Sequence, residues 1–417
     1  MRKRIACIVI VVCLLIAFGA TVTVDWLYET FGHLSMDEII FHLKVPMQGT
    51  NTDIIATFMK QCLWKVILPS AIIALALIYP MVKDIKIIHE IHTSERRKTI
   101  LVSITISILI LIISIDKILK TTDIKEYIEN QTHDSNFIAK EYVRPEKTKI
   151  EFQEEKRNLI YIFLESMETT YYSVQDGGLS QYDLMPEISK LAKENINFSD
   201  TNKLGGAYSI GQVLQKNGYH NFLLLGSDAT FGGRRNLFEQ HGNYEIWDFE
   251  SAKSENKATE QIWWGFTDDQ LFEYAKEKIL YLSEQEQPFN FTMLTADTHF
   301  PDGYKCKDCP DKWDEQYITM QSNFFELEEG QDYQKKVVNL IINPAVEPES
   351  NNREYSTMDL YPTTLAALGA NIDGNKLGLG TNLFSNEETL IEKYGLKYVN
   401  DELMKISRYY NNNILVK

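Results

Sequence analysis

The chain has 417 residues, 44% hydrophobic and 24% charged, which is enough for two or three domains. A formal net charge of −16 leaves no basic surface to neutralise a run of phosphates, and this speaks against a nucleic-acid partner. Five cysteines are too few for a disulfide framework in a chain of this length.

The first 120 residues hold three long apolar runs. Arg2, Lys3 and Arg4 precede the run that starts at Ile5, and "FGA" before Thr21 would fit a small-residue cleavage site. Two further runs, "VILPSAIIALALIYPMV" from Val66 and "TILVSITISILILIISI" from Thr99, favour a multi-span anchor instead. The spans are predicted at about 5–24, 65–82 and 99–116 within an anchor of residues 1–120. Lys83, Lys86, Arg96, Arg97 and Lys98 lie between the second and third spans, on the same side as Arg2–Arg4. The excess of cations marks that side as cytoplasmic, so everything after Asp116 is expected to be extracytoplasmic. The chain is thus expected to be a multi-pass protein of the cell membrane.

Residues 121–156 are charged and poor in apolar side chains and read as a linker. Residues 157–417 then form the outer domain. Short apolar runs recur there and end in polar residues: "LIYIFLE" at Glu165, "NFLLLGSD" at Asp228, and "FNFTMLTADTHF" through Asp297 and His299. A fourth run, "VVNLIINPA", has no acidic end. Such runs predict strands buried on both faces of a mostly parallel sheet, with Glu165 closing a central strand. Helical spacing separates them at 185–194, 209–217, 268–283 and 358–368, the last with Ser356 or Thr357 as N-cap and Gly369 as stop. Alternation of this kind predicts an α/β, doubly wound fold.

In such sheets ligands sit beyond the carboxyl ends of the strands, where Glu165, Asp228, Asp297 and His299 would converge. Carboxylates and a histidine suit a hard or borderline divalent cation, whose open positions polarise a phosphoryl or sulfuryl oxygen. Arg234 and Arg235 follow Gly232 and Gly233 in "GSDATFGGRRN", and a guanidinium can grip a phosphate with two parallel hydrogen bonds; a solvated surface pair is the alternative. "WWGFTDDQ" offers an aromatic wall with Asp268 and Asp269, although core packing explains its tryptophans equally simply. Cys306 and Cys309 in "CKDC" read as a local disulfide or two free thiols, since a zinc site needs more ligands.

"NLIYIFLESMETTYY", "LLLGSDATFGGRRNLFEQHG", "WWGFTDDQLF", "LTADTHFPDGY" and "STMDLYPTTLAALG" occur in this order. Together they resemble the outer domain of the phosphoglycerol transferase I and lipoteichoic acid synthase family. The resemblance implies a sulfatase or alkaline-phosphatase-like fold on a multi-span anchor. It implies transfer of phosphoglycerol from phosphatidylglycerol to a polyglycerol-phosphate or glucan acceptor, with Mn2+ or Mg2+. By position, Glu165 matches a metal-binding carboxylate and His299 the head-group histidine. Asp228 and one of Arg234 or Arg235 match the substrate pocket. The family uses a threonine nucleophile that forms a covalent intermediate.

Two departures accompany the match. The nucleophile loop has no counterpart around Gly205–Tyr208, and no Asp-His dipeptide occurs, so the stretch after Asp314–Tyr317 lacks the segment that completes the metal site. Thr169 and Thr170 lie close to Glu165 but not where the family nucleophile belongs. The chain is therefore expected to be such a transferase, or an inactive form of one. The alternative is a non-catalytic relative that binds envelope polymer or a partner enzyme. A sulfatase would need a formylglycine motif and a phosphoethanolamine transferase several disulfides; neither is present.

Overall fold

The structure is a computed structural model. It describes residues 2–31, 35–36, 39–40, 52–82, 93–167, 169–176, 178, 182–197, 209–257, 261–262, 264–299, 303–304, 338–349 and 352–415. The chain divides into two compact units, with the boundary at residues 131–132.

The first unit contains helices α1 (Arg2–Phe31), α2 (Thr52–Val82) and α3 (Thr93–Thr121). Each is long and apolar enough to cross a membrane, over Arg4–Thr30, Ala56–Pro80 and Lys98–Thr121. The second stretch starts before the predicted 65 because Lys60, Gln61 and Lys65 interrupt the apolar run without breaking the helix. Ala6, Ile10, Leu14 and Ala17 form one buried stripe on α1, and Ala74 of α2 packs into the same cluster. Small residues let the backbones approach closely, the usual device where no water drives association. The Ser103 hydroxyl donates to the Leu77 carbonyl at 3.0 Å, and Lys117 pairs with Asp25 at 2.7 Å near the helix ends. Ile8, Leu68, Leu75, Leu101 and Ile113 point outward, as suits a lipid-facing surface. Cys7, Cys13 and Cys62 are free thiols in this unit, while Cys306 and Cys309 lie outside the described residues.

Most of the predicted linker is not a linker. Helix α4 (Ile124–Thr132) closes the first unit, and from Ser135 onward the chain is woven into the second. Phe137 and Ile138 of α5 (Phe137–Glu141) are buried, and Phe137 packs against Leu390, Ile391 and Val399. Strand β1 (Ile150–Glu151) pairs antiparallel with Asn371–Ile372. A few large apolar residues in a charged stretch suffice for this, because each buried side chain contributes about 1.5–3 kcal/mol.

The second unit is built on a four-stranded parallel sheet ordered β2 (Leu159–Phe163), β6 (Phe289–Leu294), β4 (His220–Leu225) and β5 (Glu245–Trp247). The central strands β4 and β6 are buried along almost their whole length, as continuous apolar runs require. β2 is not central, contrary to expectation. It is an edge strand of the described sheet, and Ile160, Ile162 and Phe163 are 43–48% exposed. The fourth apolar run also lies elsewhere: Leu340–Ile341 (β7) pairs antiparallel with Ile196–Asn197 (β3). The fourth strand of the main sheet is β5, whose three residues are too short to show a pattern.

Helices cover both faces, so the sheet is doubly wound. After α6 (Pro186–Glu194) and α7 (Ile210–Lys216) come α8 (Arg234–Gln240), α9 (Phe249–Ser254) and α10 (Asp268–Ser283). Leu271, Ala275 and Leu282 of α10 and Ala252 of α9 pack on Phe222, Leu224, Phe289, Phe291 and Met293. The rings of Phe222 and Phe291 stack at 5.6 Å. On the other face Phe238 of α8 meets Leu223, Leu225 and Tyr244, while Val213 and Leu214 of α7 join Leu365 and Leu368. Leu365 belongs to α11 (Leu360–Ala367), which continues a 3-10 turn (Thr357–Asp359) opened by a Ser356–Asp359 capping box and stops before Gly369 at φ +87°.

A pair of amides crosses the sheet centre. Asn221 of β4 stands opposite Asn290 of β6, and Asn290 donates to the Asn221 side chain at 3.0 Å and to the Tyr244 hydroxyl at 2.9 Å. Asn221 donates in turn to the carbonyls of Gly211 and Gly242. Every amide hydrogen is thereby satisfied in a site that is 1–2% exposed.

Candidate active site

The parallel arrangement brings the carboxyl ends of β2, β4 and β6 together, and the predicted site residues follow directly after them. At the end of β2 the chain reaches Glu165 and turns at Ser166, which sits at φ +54°. The Ser166 hydroxyl donates to Glu165 Oε1 at 3.0 Å. The backbone of Glu165 is tied to β6 twice. Its N–H donates to Thr295 Oγ1 at 2.9 Å, and its carbonyl accepts from the Thr298 hydroxyl. Two threonines thus clamp an edge strand onto the central one at the site itself.

β4 ends in the loop Ser227–Gly233. The Asp228 carboxylate accepts from the Thr230 N–H at 2.7 Å, shaping the turn in the manner of an Asx motif. Arg234, at the start of α8, folds back over this loop. Its Nε donates to the Phe231 carbonyl, and its Nη2 donates to Ser227 Oγ and the Asp228 carbonyl, all at 3.0 Å. Burial pulls its pKa down, while Asp228, Glu165 and Asp248 hold the charge in place. Arg234 is therefore a preorganised cation whose Nη1 has no hydrogen-bond partner among the described residues.

Arg235 does different work, although the two arginines look interchangeable in sequence. Its guanidinium pairs with Asp248, whose side chain is 1% exposed. Asp248 also accepts from the Ala229 N–H and caps α9 through the Ser251 N–H and hydroxyl. Arg235 is a structural staple between the β4 and β5 ends, so Arg234 is the arginine at the site.

At the end of β6 the backbone runs through Thr295 and Asp297 to His299. Asp268, the first residue of α10, accepts from the Ala296 N–H at 2.8 Å and the Asp297 N–H at 3.0 Å. The Asp297 carboxylate accepts in return from the Asp268 N–H at 2.9 Å. The His299 N–H and the Gly303 N–H close the turn through the carbonyls of Ala296 and His299. Burial, reinforced by Asp268 and Asp269, pushes the Asp297 carboxyl up to about 7, and burial likewise raises Asp268. Protonation of one carboxyl relieves the repulsion between two that face each other.

Aromatic rings join Arg234 to His299. Arg234 lies over the Phe231 ring at 5.4 Å, Phe231 is 5.2 Å from Trp264, and Trp264 is 4.6 Å from His299. The aromatic wall expected from "WWGFTDDQ" is represented here by Trp264, whereas the sequence offered no role for Phe231, Thr295 or Thr298. The only signal for the threonines is that they flank Asp297 in "TADTH".

Thr169 falls in a 3-10 turn (Thr169–Tyr171) and is 6% exposed, which does not suit a nucleophile that must meet a substrate. Thr170's side chain, Gly205–Tyr208 and Asp314–Tyr317 lie outside the described residues. Among the described residues no three His, Cys, Asp or Glu side chains come together as metal ligands. Glu165 is a suitable oxygen donor, but the described donor set does not by itself fit a divalent cation, which needs about six ligands including waters.

No family model matches the chain. It is 28% identical over 241 residues to phosphoglycerol transferase I of Escherichia coli strain 55989, covering 49% of this chain and 31% of that protein. Phosphoglycerol transferase I of Shigella boydii serotype 18 matches with the same identity and coverage. The chain spans about a third of the length of these curated relatives. A solved structure described as a protein in the alkaline phosphatase superfamily from Vibrio parahaemolyticus overlays at TM-score 0.41 and 17% identity, covering 58% of this chain and 72% of that one. The motif resemblance to the phosphoglycerol transferases is thus borne out in sequence.

Proposed function

From this similarity to phosphoglycerol transferase I, we propose that the chain is a membrane-anchored, sulfatase-like phosphoglycerol transferase of the cell envelope. In this reading it takes phosphoglycerol from phosphatidylglycerol and passes it to a polyglycerol-phosphate or glucan acceptor. The observation that carries the reading is the convergence of Arg234, His299 and Glu165 at the carboxyl ends of parallel strands. The excess of cations around the spans supports an extracytoplasmic placement of this unit, where lipid head groups would be within reach.

The chemistry follows from the residues. Arg234, held by three hydrogen bonds, offers Nη1 to a phosphoryl oxygen without having to reorganise. The imidazole of His299 reaches the same region and can hold or release a proton on a phosphate or leaving oxygen. Glu165 would serve as one ligand to Mn2+ or Mg2+, and the other ligands would have to come from outside the described residues. Such an ion supplies polarisation of the phosphoryl group when bound. A nucleophile is not assigned.

The test uses the full chain in vesicles containing fluorescent phosphatidylglycerol, with and without Mn2+. Release of diacylglycerol that disappears in Glu165→Ala and falls at least about tenfold in Arg234→Gln is expected. Absence of turnover at every metal concentration would overturn the catalytic reading. A second reading, a non-catalytic binder of envelope polymer or of a partner enzyme, needs only polar and cationic side chains such as Arg234, Arg235 and His299 and no nucleophile. Metal-independent binding of glycerol phosphate without diacylglycerol release would support it.

A further inference from the structure

The segment Ile262–Asp268 does not belong to any strand of the sheet, yet it touches both halves of the site. We propose that this segment is the positioning arm of the site: Trp264 and Asp268 together fix the placement of His299 relative to Arg234. This goes beyond the transferase reading and rests on it only for the choice of ligand.

The arm is anchored on the end of β4. Gly265 forms a bridge with Ser227, and the Phe266 N–H donates to the Gly226 carbonyl at 3.1 Å. The backbones approach so closely that a Cβ at Gly265 would run into the Gly226 carbonyl. Ile262 and Gly265 close a tight turn by exchanging backbone hydrogen bonds, at 2.6 Å and 3.0 Å. Trp264 lies within that turn and is 7% exposed. Its indole therefore has little freedom to move between Phe231 on one side and His299 on the other.

Three residues further, the arm makes its second contact. Thr267 caps α10, and Asp268 reaches back to hold the Ala296 and Asp297 N–H groups immediately before His299. His299 is thus fixed from two directions by one short segment, through its ring by Trp264 and through its backbone by Asp268. The same indole supports the Phe231 ring over which Arg234 lies. A shift of the arm would change the Arg234–His299 spacing without touching either side chain's chemistry, and sub-ångström placement is what a preorganised phosphate site depends on.

A double-mutant cycle on the full chain in detergent tests this, with glycerol phosphate as the calorimetric probe. Trp264→Leu is expected to weaken binding about tenfold or more, and Trp264→Phe to stay within about threefold of the unmodified chain. Trp264→Leu should be non-additive with both His299→Gln and Arg234→Gln, whereas Leu282→Ala, a core truncation on α10, should be additive with both. Additivity of Trp264→Leu would overturn the proposal. A ligand-independent measurement separates its failure from failure of the transferase reading. In 13C-histidine-labelled chain the His299 signal, assigned by its loss in His299→Gln, should change chemical shift in Asp268→Asn, as the imidazole moves against the Trp264 ring 4.6 Å away, and keep it in Leu282→Ala. An unchanged chemical shift in Asp268→Asn counts against the arm even if glycerol phosphate does not bind.

Discussion

β6 and β2 lie side by side and both deliver residues to the site, but they are held in opposite ways. β6 is flanked by strands on both sides, and its side chains are buried on both faces. β2 pairs on one side only within the described sheet and leaves Ile160, Ile162 and Phe163 43–48% exposed. The strand leading to His299 is therefore held by the core, with Trp264 and Asp268 placing the residue itself, whereas the Glu165 end is fixed locally by Thr295 and Thr298. In this fold, one strand end starts from a buried core strand and the other depends on two hydroxyls.

The most severe way to probe this contrast is truncation in each strand. Phe291→Ala should cost about 3–5 kcal/mol in denaturant unfolding, because its ring is 0% exposed and stacks on Phe222. Ile160→Ala, half exposed on β2, should cost less than about 1 kcal/mol in the same experiment. Equal losses would mean that β2 is as well packed as the centre.

Next in size is the exchange of roles between the arginines. Arg235→Gln leaves Asp248 buried without its cation and should cost about 2 kcal/mol of stability, with glycerol phosphate affinity little changed. Arg234→Gln should do the reverse. If Arg235→Gln abolished binding without a stability loss, the assignment of the site arginine would fall.

Asp297 gives a pH signature on the β6 side. Its folded pKa of about 7 lies above the ordinary 3.8, so the folded state holds the proton more tightly than the unfolded one. Stability from this group is present below pH 3.8 and is lost progressively as the pH rises to about 7. Asp297→Asn should flatten that part of the stability–pH curve, and an unchanged slope would show that Asp297 is not the titrating group. The smallest effect is expected at the clamp on β2. Thr298→Val removes one hydrogen bond to the Glu165 carbonyl and should cost about 1 kcal/mol. It should also lower diacylglycerol release more than it lowers stability, if Glu165 placement matters to turnover.

The continuous apolar runs of β4 and β6 made the parallel sheet readable, since only strands buried on both faces tolerate them. Helix bounds were readable where capping chemistry is local: Asp268–Ser283 and the Ser356 start agree with the structure. Strand β5 was not readable, because three residues carry no period, and Leu340–Ile341 went to a different pairing because an apolar run does not specify its partner. The linker stretch misled because its charges outnumber the few residues, such as Phe137 and Phe152, that anchor it. Glu165, Asp228 and His299 were legible as residues that follow strand ends, which is where the structure has them. What separates Arg234 from Arg235 is a long-range partner, Asp248, which no local pattern could reveal.

The amide pair at the sheet centre bears on how the chain reaches this arrangement at all. Sliding β4 along β6 by one step would point Asn221 away from Asn290 and leave both amides buried with hydrogen bonds unmade, at about 1–3 kcal/mol for each unsatisfied group. Apolar strands of similar length would otherwise tolerate several alignments. The asparagines act as a latch against misregistration during folding, and they set the height at which the β4 and β6 ends emerge. The loops that carry Asp228 and His299 leave β4 and β6 in a register fixed by two amides at the opposite end of the strands.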